Sequence, residues 1–227
     1  IAPLARAGAS ELATLTARVA RANGWTGASA RGSRYPPIRH VVYIIKENRT
    51  YDQVLGDLAQ ADGDTSLVLF GRDVTPNHHA LAERFGIFDR FFVNAEVSAD
   101  GHNWSMAAYA SDYTQKTTPT NYSGDGRHYD YEGANRGRVP DEDVAAPAQG
   151  YLWDLAERSR ISFRNFGEFT LEEGAGETRR YRGTKPFLAA HTDSLFPWFD
   201  MRISDQRRAD LWLAQLRRWE AAGDMPA

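Results

Sequence analysis

Residues 38–52 read IRHVVYIIKENRTYD, and this stretch decides how the rest of the chain is organised. Val41–Ile45 is an uninterrupted apolar run, without the in–out alternation of a half-exposed strand. It predicts a strand over residues 38–45 that is buried on both faces, as in a parallel sheet flanked by helices. At Lys46 the character changes, and Glu47 and Asn48 stand just past the carboxyl end of that strand. In open α/β sheets this is where ligands bind. A carboxylate beside an amide oxygen suits a hard cation such as Mg2+, Ca2+ or Mn2+, and the carboxylate also suits Zn2+. The same pair also fits a solvated strand end in which Asn48 makes a turn.

Upstream, residues 10–23 carry Leu12, Leu15 and Val19 at helical spacing, with Ser10 as N-cap and Gly24 as the stop. Residues 24–37, GWTGASARGSRYPP, have a linker composition. The reading therefore divides the chain into 1–37, an upstream helix and linker, and 38–227, the main domain. Downstream, helices are expected over Asp52–Leu58 and over His78–Phe85, the latter approached through Thr75-Pro76-Asn77. IFDRFFV (87–93) reads as a second strand, followed by a helix from about His102. Residues 117–148 read as a long loop of the kind that serves as a lid. A helix over 150–159, a strand over 161–169, a further loop and a helix over 205–223 complete the pattern, and strands alternating with helices predict an α/β sandwich.

Composition narrows the function classes. The chain has 227 residues, 42 % hydrophobic and 25 % charged, an ordinary globular balance that excludes dominant disorder. No window approaches the ~20 apolar residues of a membrane span. With 27 basic and 30 acidic residues the formal charge is −3, so binding nucleic acid through a basic face is not expected. The absence of cysteine removes disulfides, thiol catalysis and cysteine-based zinc sites.

A second chemical candidate is Ser98-Ala99-Asp100-Gly101-His102-Asn103, between the second strand and a helix. A serine there sits near helix-terminal N–H groups that favour negative charge, a setting suited to a phosphate that the serine attacks. Read by position alone, Ser98 or Asp100 would simply cap the helix. Other features have plain readings. Asp62, Asp64, Ser66 and Asp73 imitate a calcium loop but place Leu67 where glycine is required, so a solvated turn is expected. His78 and His79 are adjacent and point in different directions. Tyr122, His128, Tyr129, Tyr131 and Arg136 populate the long loop and can contact substrate or pack on the surface. Arg179, Arg180 and Arg182 form a short basic cluster whose default is a solvated loop. Arg207, Arg208, Arg217 and Arg218 take the polar side of the last helix, with Trp212 and Trp219 as anchors.

Taken together, the motifs carry a resemblance. Residues 38–52 closely resemble the opening motif of the bacterial acid phosphatase/phospholipase C-type phosphoesterases of the alkaline-phosphatase-like superfamily. The likeness continues through Leu67–Phe70, Thr75–Leu81, Phe88–Phe92 and Glu96–Trp104, and covers most of 38–227. This version resembles the branch fused behind a β-propeller, so that 1–37 would be the tail of such a domain.

The resemblance implies a three-layer α/β sandwich with a mostly parallel central sheet, incomplete at the C-terminus. It implies a divalent metal (Zn, Mg, Mn or Ca) held by Glu47, Asn48 and Ser98. It also implies that Ser98 is the nucleophile that passes through a phosphoserine, with Asn103 stabilising phosphoryl charge. His102 would either donate a proton to an oxygen or be structural. Many relatives have Thr followed three residues later by Asn, whereas Asn103 lies five after Ser98, so Thr50 and Ser105 stay open as nucleophiles. The substrate would be a small-molecule or lipid phosphate ester, either mono- or diester, and the protein would be exported, periplasmic or secreted. A sulfatase is disfavoured because its own motif is missing. Relatives complete the metal site with a C-terminal Asp-Asp pair, and after Glu173 no two acidic residues here are adjacent. The chain is therefore expected to be a fragment with half a site, binding metal weakly and turning over little. The rival reading is a catalytically silent binding or cell-surface module on the same scaffold.

Overall fold

The structure is a computed structural model that describes residues 8–22, 37–95, 97–122 and 146–227. Two units are distinguished, Ile1–Val41 and Val42–Ala227. In the first, helix α1 (Ala9–Ala22) forms as its periodicity predicts, with Leu12, Leu15 and Val19 exposed along one stripe. The second unit combines helices α2 (Tyr51–Leu55), α3 (Pro76–Phe85), α4 (Ser98–Ala107), α5 (Asp112–Tyr122) and α6 (Leu152–Ser159) with a hairpin, β1 (Thr170–Glu173) and β2 (Arg180–Gly183), then α7 (Pro186–His191) and α8 (Asp205–Ala222). It is thus a mixed helix and sheet fold whose described sheet is two-stranded and antiparallel.

Helix ends follow local chemistry. Pro76 opens α3, where its missing N–H costs nothing. Ser204 caps α8 by accepting from the Arg207 N–H at 3.3 Å, and Gly223 closes it at φ +70°. Ser204→Ala is expected to lower stability by about 1 kcal/mol, read as a shifted urea midpoint at constant slope; an unchanged midpoint would mean that the cap is idle.

The strands depart from expectation. Residues 38–45 and 87–93 are not strands, and most of their apolar side chains are exposed, Ile44 at 73 % and Phe92 at 81 %, while Ile45 is partly buried against the core. A strand is made by a partner ladder as much as by its own side chains, and among the described residues none lies alongside either segment. Residues 161–169 are also irregular, and the one isolated β-bridge among the described residues is the parallel pair Asn165–Thr192. The mostly parallel central sheet is therefore not found among the described residues. The strands that do form lie in the stretch expected to be loop, paired from Thr170 opposite Gly183 to Glu173 opposite Arg180. Their charged composition hid them, for besides a buried face carrying Thr170 and Tyr181 the pairing is reinforced by ion pairs: Arg182 Nε to Glu173 at 2.6 Å and Arg179 Nε to Glu172 at 3.3 Å. The long loop is shorter than expected at its start, since α5 occupies 112–122; residues 123–145 lie outside the described residues.

The core of the second unit is aromatic. Tyr151 and Trp153, at the start of α6, stack at 4.6 Å, and Phe169 lies 4.9 Å from each. Met106 of α4 and fully buried Leu188 of α7 complete the cluster. It ties α4, α6, the hairpin and α7 together, which places the segments around residues 102 and 168.

Candidate functional site

Helix α4 brings the two sequence motifs together. Ser98 is its first residue, preceded by extended Val97, whose side chain makes no cap, and the Gly101 N–H turns back to the Val97 carbonyl at 3.1 Å. Ser98 and His102 are four apart and so share one helix face. On that face His102 Nε2 lies 3.6 Å from Glu47 Oε1, and its Nδ1 lies 2.8 Å from Glu168 Oε1. With Glu168 hydrogen-bonded at Nδ1 and a second carboxylate near Nε2, the surroundings favour the imidazolium form of the ring. Burial alone would push its pKa down, but the hydrogen bonds and charges of Glu168 and Glu47 outweigh that and raise it to about 10. The neighbouring His102 in turn holds the Glu47 carboxyl below its usual range against partial burial.

Glu168 escaped the sequence reading, which placed it inside a strand. It sits instead in a turn built by Asn165. The Asn165 side chain accepts from the Glu168 N–H at 3.2 Å and donates to the Glu168 carbonyl at 2.7 Å, while also donating to Thr192 Oγ1 at 3.1 Å. Gly167, at φ +91°, lets the chain turn against Phe196, whose ring a Cβ would meet at 3.1 Å. The Asn165-Phe166-Gly167 turn signal was the clue available in the sequence.

The remaining candidates separate. Asn48, next to Glu47, is exposed. Asn103 is fully buried and accepts from Tyr151 Oη at 3.0 Å, fastening α4 to the start of α6. Asp100, 6 % exposed, keeps one carboxylate oxygen without a hydrogen-bond partner. Ser105 Oγ donates to its own helix at the Gly101 carbonyl, and the Thr50 N–H donates to Gln53 Oε1 at the start of α2. Asp64 caps the short turn Thr65–Leu67, and Asp62 pairs with Arg90, as a solvated turn would. His78 is exposed while His79 is wholly buried against Asp57. Arg179 and Arg182 are spent on the hairpin, and Arg208 donates to the carbonyls of Trp198, Asp200 and Ile203. Trp219 packs edge-on against Phe166. Of the loop residues, Tyr122 ends α5, and His128, Tyr129, Tyr131 and Arg136 lie outside the described residues.

Among the described residues no three His, Asp or Glu side chains converge to hold a metal ion. The donors that do meet, the Glu47 carboxylate and the His102 imidazole, are nonetheless chemically suited to a borderline divalent cation, with exposed Asn48 adjoining. No described helix is long and apolar enough to cross a membrane. Comparison with protein-family models, with curated proteins and with solved structures found no match for this chain.

Proposed function

We propose that this chain carries part of a metal-dependent phosphoric ester hydrolase with Ser98 as nucleophile, of the acid phosphatase/phospholipase C type. The observation that carries the reading is the 3.6 Å approach of His102 Nε2 to Glu47, because it joins the Glu47-Asn48 motif to the helix face that begins with Ser98. Two segments far apart in sequence, each selected for phosphate or metal chemistry, meet there.

On this reading Glu47, Asn48 and Ser98 hold a divalent cation, which when bound supplies charge favouring the Ser98 alkoxide. Ser98 Oγ forms a bond to phosphorus while the phosphorus–oxygen bond to the leaving group breaks. The Oγ proton passes to solvent, and the leaving oxygen takes a proton from water. A second water then attacks the phosphorylated serine, breaking its Oγ–phosphorus bond and restoring the hydroxyl, with phosphate released from a monoester substrate and a phosphomonoester from a diester. The first-turn amides of α4 face the developing negative charge. The proposal extends to the fold. The largely exposed segments 38–45, with its apolar run Val41–Ile45, and 87–93 suit strands of a mostly parallel sheet in an alkaline-phosphatase-like sandwich, where partners would cover both faces. A small-molecule or lipid phosphate ester as substrate, and an exported protein, belong to the same proposal.

The test is hydrolysis of p-nitrophenyl phosphate and bis-p-nitrophenyl phosphate by the full-length gene product, with and without chelator. Ser98→Ala and Glu47→Ala are each expected to cut turnover by at least ~10^3-fold, and the preferred ester separates monoesterase from diesterase. Activity that survives Ser98→Ala moves the nucleophile to Thr50 or Ser105. No hydrolysis with any divalent metal overturns the enzymatic reading in favour of a silent binding module.

A further inference from the structure

We propose that His102 shares the cation of Glu47 through Nε2, that this cation is zinc-like rather than Mg2+ or Ca2+, and that Glu168 is the positioning residue that holds the imidazole for it. The proposal deepens the metal-dependent reading above and rests on it.

Three observations support it. The first is spacing. Two donors on one tetrahedral cation at ~2.1 Å stand ~3.4 Å apart, whereas octahedral Mg2+ at the same bond length needs ~3.0 Å. His102 Nε2 and Glu47 Oε1 are 3.6 Å apart, near the tetrahedral edge without rearrangement of either segment. An imidazole nitrogen is also a poor ligand for Ca2+ and a good one for Zn2+. The second is the far side of the ring. Metal-bound histidines almost always donate their other N–H to a carboxylate or carbonyl, which fixes the tautomer. Glu168 Oε1, 2.8 Å from Nδ1, occupies that position. Nor is Glu168 a loose surface side chain. Its backbone is clasped on both sides by Asn165, and the next residue, Phe169, is in the aromatic core. The third is charge. Two carboxylates converge on one ring in a partly buried site, and a dication between Glu47 and Nε2 would offset their charge.

The test uses the 227-residue chain with histidine labelled with nitrogen-15, titrated with Zn2+ and separately with Mg2+. Zinc is expected to move the His102 Nε2 resonance to the metal-bound range while Nδ1 keeps its proton, and Mg2+ is expected to leave both unchanged. Calorimetry in parallel should show Zn2+ affinity falling by about 10- to 100-fold in Glu168→Gln, with Glu168→Asp recovering part of it; circular dichroism checks that each variant is folded. If Zn2+ binds in a Glu47-dependent way but His102 Nε2 does not move and Glu168→Gln binds as well as the parent, the Glu47–His102 contact is a plain ion pair. The proposal then fails while the phosphoesterase reading stands. Zinc binding that is absent altogether overturns the proposal too. Chelator-insensitive hydrolysis by the gene product, measured separately, is what would sink the underlying reading.

Discussion

Trp153→Ala is expected to remove about 3–5 kcal/mol of stability, a large share of the ~5–15 kcal/mol of an ordinary domain. The indole is 3 % exposed, stacked on Tyr151 and edge-on to Phe169, so its loss leaves a cavity beside two rings already packed against each other. Consequences should reach the candidate site through neighbours in the chain. Phe169 follows Glu168, and Tyr151 holds Asn103, the residue after His102. Each partner of the His102–Glu168 contact is thus one residue away from a member or ligand of this cluster. A urea midpoint measures the first effect, and weakening of the His102 Nδ1–H resonance the second. Trp153→Phe is the control. It keeps a ring and removes an indole N–H that is buried without a partner, so it should stay within about 1.5 kcal/mol. If Trp153→Ala shifts stability by less than about 1 kcal/mol, these aromatics are not the core.

Helices were more legible than strands, for a physical reason. The periodicity of Leu12, Leu15 and Val19, Pro76 at a first turn, and Ser204 with Gly223 at the two ends of α8 are local signals, and a helix satisfies its own backbone. Those helices lie within two residues of their expected bounds. A strand depends on a neighbour elsewhere in the chain. The apolar runs at 38–45 and 87–93 state a need for burial but name no partner, whereas the polar hairpin of β1 and β2 is visible only once Glu173 is seen opposite Arg180 and beside Arg182. The candidate site divides in the same way. Glu47, Ser98 and His102 were legible because each sits beside a local landmark, a strand-like run or a helix start. Glu168 was not, because its role exists only across the turn that Asn165 builds, 66 residues from His102. Asp100 is a residual case. A cap was expected in that first turn, yet one of its buried oxygens has no hydrogen-bond partner among the described residues.

Asp57→Asn is expected to destabilise the protein in a pH-dependent way, because Asp57 answers to a histidine with no exposed surface. His79 Nε2 lies 2.6 Å from Asp57 Oδ1, and its Nδ1 lies 2.8 Å from the Thr75 carbonyl. Acceptors at both nitrogens require the doubly protonated ring. Burial by itself would lower the His79 pKa, yet the Asp57 carboxylate and the Thr75 carbonyl raise it, while Arg72 opposes them from the far side of Asp57. The Asp57 carboxyl is correspondingly held low, chiefly by the hydrogen bond from His79 and further by the Arg72 backbone N–H. Removing one partner of a buried pair typically costs about 3–5 kcal/mol. Asp57 remains 30 % exposed on its side chain, so ~1–3 kcal/mol is expected for Asp57→Asn, and more for His79→Ala, which also opens a cavity. The sign follows from linkage. A raised histidine pKa contributes stability fully present below the unfolded value of ~6.5 and lost as pH rises through the folded value. A depressed carboxyl pKa contributes stability present above ~3.9 and lost as pH falls through its folded value. The gap between parent and Asp57→Asn should therefore be widest between about pH 4 and 6.5 and narrow on either side. Urea midpoints at pH 3, 5.5, 7.5 and 9 measure it directly. A gap that stays constant across that range would mean that the pair is neutral, with Asp57 acting on His79 through shape alone.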